Sequence, residues 1–332
     1  MKAILLAIAV VSSILIATSL YESSNSTSLY DEDVNTLFTK WCMKNGKSYG
    51  NQSDRQYRLG VFAQNLAKVQ AHSQKTEATY SLGLNKFADL TSAEFNAQYL
   101  GFKPQGKKAK NYDNTYVNAP ASKDWSTTDA VTGVKDQGRC GSCWAFSTTG
   151  SIEGLYYLQN GTQRSFSEQQ LMDCSGNYGN MSCNGGLMDN AFQYVETQGL
   201  TDESNYPYTA RDAYSCNSSA ITNGFKISSY VDVANSQTAL VNAIAQRPVS
   251  IAINANPIQL YTSGIFNDWS CGDQLDHGVL AVGYGTENGQ DFFKVKNSWG
   301  TYFGENGYFR LARKSSGEGI CGCTAAASYP TA

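Results

Sequence analysis

The sequence predicts an α+β fold, and three observations carry that expectation. Residues 143–199 repeat apolar side chains at helical spacing. After about residue 225 the period shortens to alternating or continuous apolar runs of strand length, broken by Gly, Asn and Asp. A mainly helical stretch, residues 31–100, precedes both and is set apart by KPQGKKAKNYDNTYVNAP at residues 103–120. Helical segments followed by strand segments, rather than an alternation of the two, argue for α+β.

The chain opens with MKAILLAIAVVSSILIATSLYESS, where one lysine precedes an apolar run from Ala3 to about Ala17 and small residues follow. This is the pattern of a secretory signal peptide, and the run is short for a membrane span of ~20 residues. Residues 1–19 are therefore expected to be removed. In DRQYRLGVFAQNLAKVQAHS, Arg58, Phe62, Asn65 and Val69 fall on one helix face, widened by Val61 and Leu66. Two polar residues on that stripe predict a polar network within a packed face. YSLGLNKFADLT alternates around Leu82, Leu84 and Phe87 and predicts a short strand. Residues 103–120, rich in lysine with Pro and Gly, predict an extended, protease-accessible linker, and the compact part is expected from about Ala119.

From Cys143 the residues Trp144, Phe146, Ile152, Leu155 and Tyr156 predict a helix that Asn160-Gly161 ends. SEQQLMDC predicts a second helix, with Ser167 and Gln170 as a capping box. GGLMDNAFQYVETQG predicts a third, closed by Gly199. PVSIAINA, HGVLAVGYG, DFFKVKNSW and GYFRLAR are the strand candidates.

Charge is nearly balanced, 25 basic against 28 acidic residues, which argues against a nucleic-acid-binding protein. The balance conceals a split: residues 1–118 carry a net +4 and residues 119–332 a net −7, so the two parts attract each other. Nine cysteines on a secretory route should mostly pair, and the odd count leaves at least one free thiol. Sequons at Asn25, Asn51, Asn160, Asn180 and Asn217 fit the same route.

Cys140 and Cys143 stand three apart in DQGRCGSCWAFS. A zinc pair needs two further ligands at close spacing, and Cys321-X-Cys323 is one residue too tight for the usual knuckle. A redox pair needs a buried strand before the helix, which STTDAVTGVKDQGR does not supply. A thiol nucleophile needs a base, and the chain has two histidines, His72 and His277. His277 opens an apolar run and so stands at a strand end. Asn297 in KVKNSWG offers an oxygen to accept the Nδ1 hydrogen of the imidazole and fix the ring. The third reading has the most support elsewhere in the chain.

Cys-Gly-Ser-Cys-Trp, with His277 and Asn297 lying 134 and 154 positions after Cys143, resembles the signature of papain-family cysteine proteases, closest in pattern to the cathepsin L-like group. The resemblance covers nearly the whole chain. It implies a two-domain fold, with a helical left domain, an antiparallel β-barrel-like right domain and a cleft between them, preceded by a mainly helical propeptide. It implies that Cys143 is the nucleophile, His277 its acid–base partner and Asn297 the orienting residue, with Trp299 shielding their contact. Gln137 is implied as the oxyanion donor beside the Cys143 backbone N–H. The position of Cys143 at a helix N-terminus favours thiolate, as does a neighbouring imidazolium. Disulfides Cys140–Cys183, Cys174–Cys216 and Cys271–Cys321 are likewise implied, leaving Cys42, Cys143 and Cys323. Cys323 departs from the usual pattern: it is expected as a buried thiol, the alternative being competition with Cys321 for the bridge.

Arg58, Phe62, Asn65 and Val69 also resemble the long pro-region motif of cathepsin L-like zymogens, although Asp54 and Ser73 depart from its usual Glu and Asn. GLNKFAD matches a second pro-region motif at Gly83, Asn85, Phe87 and Asp89. Residues 20–118 are accordingly expected to be an inhibitory propeptide and residues 119–332 the peptidase domain. Gly185 and Gly186 are implied as a backbone edge for the substrate strand. Leu187, Met188, Ala252, Leu275 and Ala326 are implied as the lining of the S2 pocket, giving preference for bulky apolar P2 residues. His277 is the one histidine after residue 118, which favours an endopeptidase over exopeptidases that hold a chain terminus with further histidines. Phe303 stands where the family often has tryptophan. No cofactor and no metal is implied. The expected partners are protein and peptide substrates and the chain's own propeptide, with no nucleic acid and no stable membrane insertion, in a monomer. Its expected destination is the lysosome, the vacuole or the exterior. From another class, the alternative is a catalytically silent papain-like binding or storage protein, but such relatives usually lose the cysteine.

Overall fold

The computed structural model describes residues 33–104, the backbone of 112–113, and residues 117–213, 215–315 and 317–332. The expected signal segment 1–19 lies outside the described residues, as do 105–111 and 114–116 of the expected linker. The chain divides into two compact units, one up to Ala67 and one from Lys68. Among the described residues no helix is long and apolar enough to cross a membrane.

The first unit contains helix α1, residues 33–44, and most of helix α2, Gln52–Ser73. Asn51 starts α2, its Oδ1 accepting the Asp54 N–H at 2.8 Å. Phe38 packs against Trp41, Tyr49 and Phe62 with ring centroids 6.0, 5.8 and 5.1 Å away. Arg55 lies 5.3 Å over the Phe38 ring and bonds Asn35 Oδ1 and Thr39 Oγ1. Phe62 and Asn65 are buried and Arg58 is half-buried against Tyr57, so the predicted stripe is a packed face.

In the second unit, strand β1 is only Tyr80–Leu82. The predicted continuation to Phe87 fails because Asn85 turns the chain. Its Oδ1 accepts the Phe87 N–H at 3.0 Å and its Nδ2 donates to the Gln259 carbonyl at 2.8 Å. Helix α3, Ser92–Tyr99, follows with a full capping box between Thr91 and Glu94. β2 (Tyr112–Asp113) and β3 (Lys123–Asp124) lead into the three expected helices, α4 (Cys143–Asn160), α5 (Glu168–Cys174) and α6 (Met188–Gln198). Gly161, at φ 69°, closes α4 in the left-handed region. At α5 half of the predicted box is present. Ser167 Oγ accepts the Gln170 N–H, but the Gln170 amide turns inward to Tyr194 and the Gly199 carbonyl.

The remainder is β4 (Ser229–Val233), α7 (Gln237–Gln246), β5 (Val249–Ile253), β6 (Tyr261–Phe266), β7 (His277–Glu287), β8 (Gln290–Lys296), β9 (Tyr308–Ala312) and β10 (Ala327–Thr331). The sheet runs β1-β6-β9-β8-β7-β5-β10-β4-β2, with β3 added to β7. It is an open sheet rather than the expected antiparallel barrel. Its two ends, β1 and β2, do not pair with each other, and the β6/β9 and β2/β4 pairings are parallel. Two apolar cores result. One lies in the sheet and includes Leu240 and Ile244 of α7. The other is built from α4, α5 and α6 around Trp144, Phe166, Leu171 and Phe192.

Helix α4 lies close to the sheet because two of its residues lack a Cβ. A methyl on Gly150 would meet Leu280 at 2.8 Å, and one on Gly154 would meet Pro248 at 2.8 Å. The three implied disulfides are formed, and Cys323 is a buried free thiol as expected. Each bridge closes a loop worth roughly 4 kcal/mol in the chain-entropy model. Of the sequons, Asn51, Asn160 and Asn217 are exposed, whereas Asn180 is buried with both side-chain polar atoms bonded, to Ser175 Oγ and the Leu187 N–H.

Replacing Phe38 by Ala removes the ring that the aromatic cluster shares. The expected loss is about 3–5 kcal/mol from that unit. Hydrogen exchange would register it as lost amide protection over residues 33–67.

Candidate active site

Two chain segments meet at the site. Cys143 is the first residue of α4, preceded by Ser142, which makes no side-chain cap. His277 is the first residue of β7, where it pairs in register with Ile253. The join between them is a main-chain contact: the Gly278 N–H points at Cys143 Sγ, 3.4 Å away. Gly278 permits this approach, since a Cβ there would stand 3.2–3.3 Å from the Trp144 backbone.

His277 is fixed from behind. Its Nε2 donates to Asn297 Oδ1 at 2.8 Å, and that oxygen also accepts the Ser298 N–H at 2.8 Å. The sequence reading had given this bond to Nδ1. Instead Nδ1 is left buried without a protein partner. Trp299 stacks on the imidazole with centroids 4.6 Å apart and is itself fully buried. Phe87, Phe95 and Phe303 pack edge-on or tilted around that indole and each other. The Phe303 departure thus conserves an aromatic wall.

Gln137 lies beside the same segment, its backbone N–H donating to the Ser298 carbonyl at 2.8 Å. Its Nε2 donates to the carbonyls of Tyr99 and Cys140, both at 2.8 Å, and its Oε1 accepts from Ser298 Oγ at 2.7 Å. Tyr208 ties Gln137 to Ser142: its hydroxyl donates to the Gln137 carbonyl at 2.7 Å and lies 2.7 Å from Ser142 Oγ. Neither Tyr208 nor Ser298 was singled out in the sequence. Ser298 had a positional cue beside Asn297, but Tyr208 is 71 residues from Gln137 and had none.

The front segment passes through this site. The Gly186 N–H donates to the Gly101 carbonyl at 2.9 Å, Lys103 N–H reaches the Gly186 carbonyl at 3.3 Å, and Phe102 N–H reaches the Asp276 carbonyl at 2.9 Å. The bridge between Phe102 and Gly186 is parallel. A Cβ on Gly101 would lie 1.9 Å from the Gly141 carbonyl, so only glycine passes there. The Phe102 ring joins the apolar cluster that holds Leu187, Met188 and Ala252, with Leu275 and Ala326 against it. Gly185, at φ 115°, lies against the Gly101 carbonyl.

This covering changes the electrostatics expected from the sequence. Burial pushes the Cys143 thiol up to about 11, although the Gly278 and Gly101 N–H groups pull it down. Burial holds the His277 imidazole down to about 4, against the Asn297 bond. In this closed form burial favours the neutral form of each group, against the ion pair that an open helix N-terminus favours.

Behind Asn297 lies a buried charge network. Lys135 Nζ bonds Glu168 Oε1 at 2.6 Å, Glu153 Oε1 at 3.3 Å and the Phe166 carbonyl at 3.1 Å. Lys296 Nζ donates to Thr132 Oγ1 at 3.0 Å, and Thr132 donates to Glu153 Oε2 at 2.6 Å. Burial lifts Glu168 to about 8 despite Lys135, with Glu153 and Glu203 adding to the rise. Burial lowers Lys296 to about 8 despite Glu153. Among the described residues no cluster of His, Cys, Asp or Glu is suited to hold a metal ion.

Residues 119–331 match the family model of papain family cysteine proteases, and residues 38–95 match that of the cathepsin propeptide inhibitor domain. The chain is 43% identical over 309 residues to cathepsin L of Sarcophaga peregrina, covering 87% of this chain and 90% of that protein. It is 46% identical over 300 residues to digestive cysteine proteinase 1 of Homarus americanus, covering 87% and 92%. Among solved structures it is similar to digestive procathepsin L 3 of Tenebrio molitor larval midgut, with TM-score 0.82 and 40% identity, covering 90% of this chain and 99% of that one.

With His277 at about 4 in the closed form and ~6.5 unfolded, the unfolded chain binds more protons across that window, so this residue makes the closed form less stable as pH falls through it. Asp276, lifted to about 6 by burial, acts with the opposite sign. In nuclear magnetic resonance of the intact chain, the His277 ring is expected to stay in its neutral position from about pH 8 to pH 5. An ordinary midpoint near ~6.5 would contradict the closed geometry.

Proposed function

Given that the chain belongs to the papain family of cysteine proteases and carries a cathepsin propeptide inhibitor domain, we propose that it is the zymogen of an endopeptidase whose catalytic residues are Cys143, His277 and Asn297. Residues 1–19 act as the signal segment, 20–118 as the inhibitory propeptide and 119–332 as the peptidase domain. The processed enzyme is monomeric and works in an acidic compartment of the secretory route or outside the cell. It needs no cofactor.

One observation carries this reading: the manner in which residues 99–103 lie in the cleft. The donor proposed for the oxyanion, Gln137 Nε2, is taken by the Tyr99 carbonyl, yet what reaches the sulfur is the Gly101 N–H. A carbonyl carbon within attack distance of Sγ is what hydrolysis requires, and an N–H group offers none. The segment therefore occupies the subsites without being cut. The opposite charges of the two parts add to its retention, and Lys86 pairs with Asp136 at 2.8 Å.

Once the segment leaves, water and the α4 dipole restore the conditions for a thiolate beside an imidazolium. Cys143 Sγ attacks the substrate carbonyl carbon, and the oxyanion is received by Gln137 Nε2 and the Cys143 N–H, each worth ~3 kcal/mol. His277 Nδ1, the ring nitrogen not held by Asn297, gives its proton to the departing amine, which leaves a thioester. It then takes a proton from water, whose oxygen attacks the thioester, releases the acid and regenerates the thiolate. Trp299 keeps water from the His277–Asn297 bond.

The S2 pocket of Leu187, Met188, Ala252, Leu275 and Ala326 has no acidic residue, and the Phe102 ring already lies among these side chains. Bulky apolar or aromatic P2 residues are therefore favoured.

Fluorogenic substrates with Phe or Leu at P2 are expected to exceed their Arg counterpart at least tenfold in kcat/KM, a difference of about 1.4 kcal/mol; the reverse order would rule out this pocket. An epoxysuccinyl affinity label should modify Cys143 stoichiometrically in the processed enzyme, and Cys143→Ala should lower hydrolysis by on the order of 10³ or more. Full-length protein held at about pH 4.5 should shorten, and at about pH 7.5 should not, because carboxylates of the acidic part neutralise in that range. Equal processing at both values would exclude an acid trigger.

A further inference from the structure

A small cavity lies beside Asn297. Lys135, Ser147, Thr149, Glu168, Lys296 and Asn297 are among its walls. The space open to the centre of a water-sized sphere is about 20 Å³, and roughly 10–15 Å³ on that measure holds one water molecule. One buried polar atom of its lining residues, Asn297 Nδ2, has no protein partner, whereas the Glu168 carboxyl is bonded to Lys135, Thr149 and Glu203. Glu168 is fully buried and Asn297 is 3% exposed. The Lys296 ammonium, 8% exposed, has three protons and bonds Thr132 Oγ1.

We propose that this cavity is a structural water site, in which one water accepts hydrogen bonds from Asn297 Nδ2 and Lys296 Nζ, so that Lys296 is a positioning residue for His277. Two donors lie within the two to four partners that a buried water ordinarily takes. Without the water, the buried Asn297 NH₂ would carry the full desolvation cost of an unmade bond. The consequence for the site lies in the asymmetry of the asparagine amide. His277 Nε2 needs the oxygen and not the NH₂ facing it. The oxygen end is held by the Ser298 N–H, and the water gives the nitrogen end an acceptor on the opposite side. A flipped amide would put a donor against a donor. The charged groups facing the cavity are Lys135, Glu153, Glu168 and Lys296, with Glu203 beside Glu168.

The inference rests on the proposed roles of His277 and Asn297, but its first test does not. A high-resolution crystal structure of the full-length chain should contain one density peak within ~2.7–3.2 Å of both Lys296 Nζ and Asn297 Nδ2. An empty cavity overturns the proposal whatever the enzyme does. The second test uses Lys296→Met, processed from the full chain. It should lose roughly tenfold in kcat with KM within about twofold, since the imidazole is misplaced after substrate has bound. Because the chain has two histidines, selective labelling reads His277 directly. In the unprocessed full-length variant, the His277 Nε2–H resonance should shift and exchange faster while that of His72 stays put. Unchanged kcat and an unchanged His277 resonance would refute the positioning role. Should that variant not fold, the crystal result decides. Failure of the affinity label to modify Cys143 would count against the proposed catalytic roles and leave the water site standing.

Discussion

The structure depends on one contact, the seating of the α4 N-terminus against the start of β7. A nucleophile at the end of a helix and an imidazole at the end of a strand can share a proton only if the two elements meet end to end. The residues that permit this are the small ones. Gly150 and Gly154 let α4 lie close to the sheet, and Gly278 lets the β7 backbone reach the sulfur. Around that contact each partner is held by its own wall. Asn297 and Trp299, at and after the end of β8, hold the imidazole. Gln137 is tied by Tyr208 and Ser298 and donates to the Cys140 carbonyl, three residues before Cys143.

The same burial that assembles the site keeps it idle. Residues 99–103 bond the Gly186 backbone and the Gln137 amide, and Phe102 joins the apolar cluster. They also remove the solvent that stabilises charge, which favours the neutral forms of Cys143 and His277. The aromatic wall of Phe87, Phe95, Trp299 and Phe303 extends this cover over the His277–Asn297 bond.

Behind the site, four ionised or ionisable side chains are taken out of water in one cluster. Such burial is affordable only when the groups satisfy one another, which Lys135, Glu153 and Thr132 do. Lys296 and Glu168 are the incompletely matched members, and both have values displaced toward neutrality. Both line the same cavity as Asn297, which joins this cluster to the residue bonded to the His277 ring.

The sequence by itself determined the helices α2, α4, α5 and α6, the strands β5, β7, β8 and β9, and which residues are the candidates for catalysis. Each of these is a local pattern: an apolar period, a terminating glycine, a cysteine before a helix, a histidine at a strand start. Only the tertiary structure decided the rest. β6 and β10 owe their state to partners far away in the chain, so no local period marked them. Asn85 ended β1 through a bond to a carbonyl 174 residues away. The imidazole nitrogen that faces Asn297, the open rather than closed sheet, and the burial of the Cys143–His277 pair all depend on which surfaces are brought together and which water is excluded. Spacing along a chain carries no information about either.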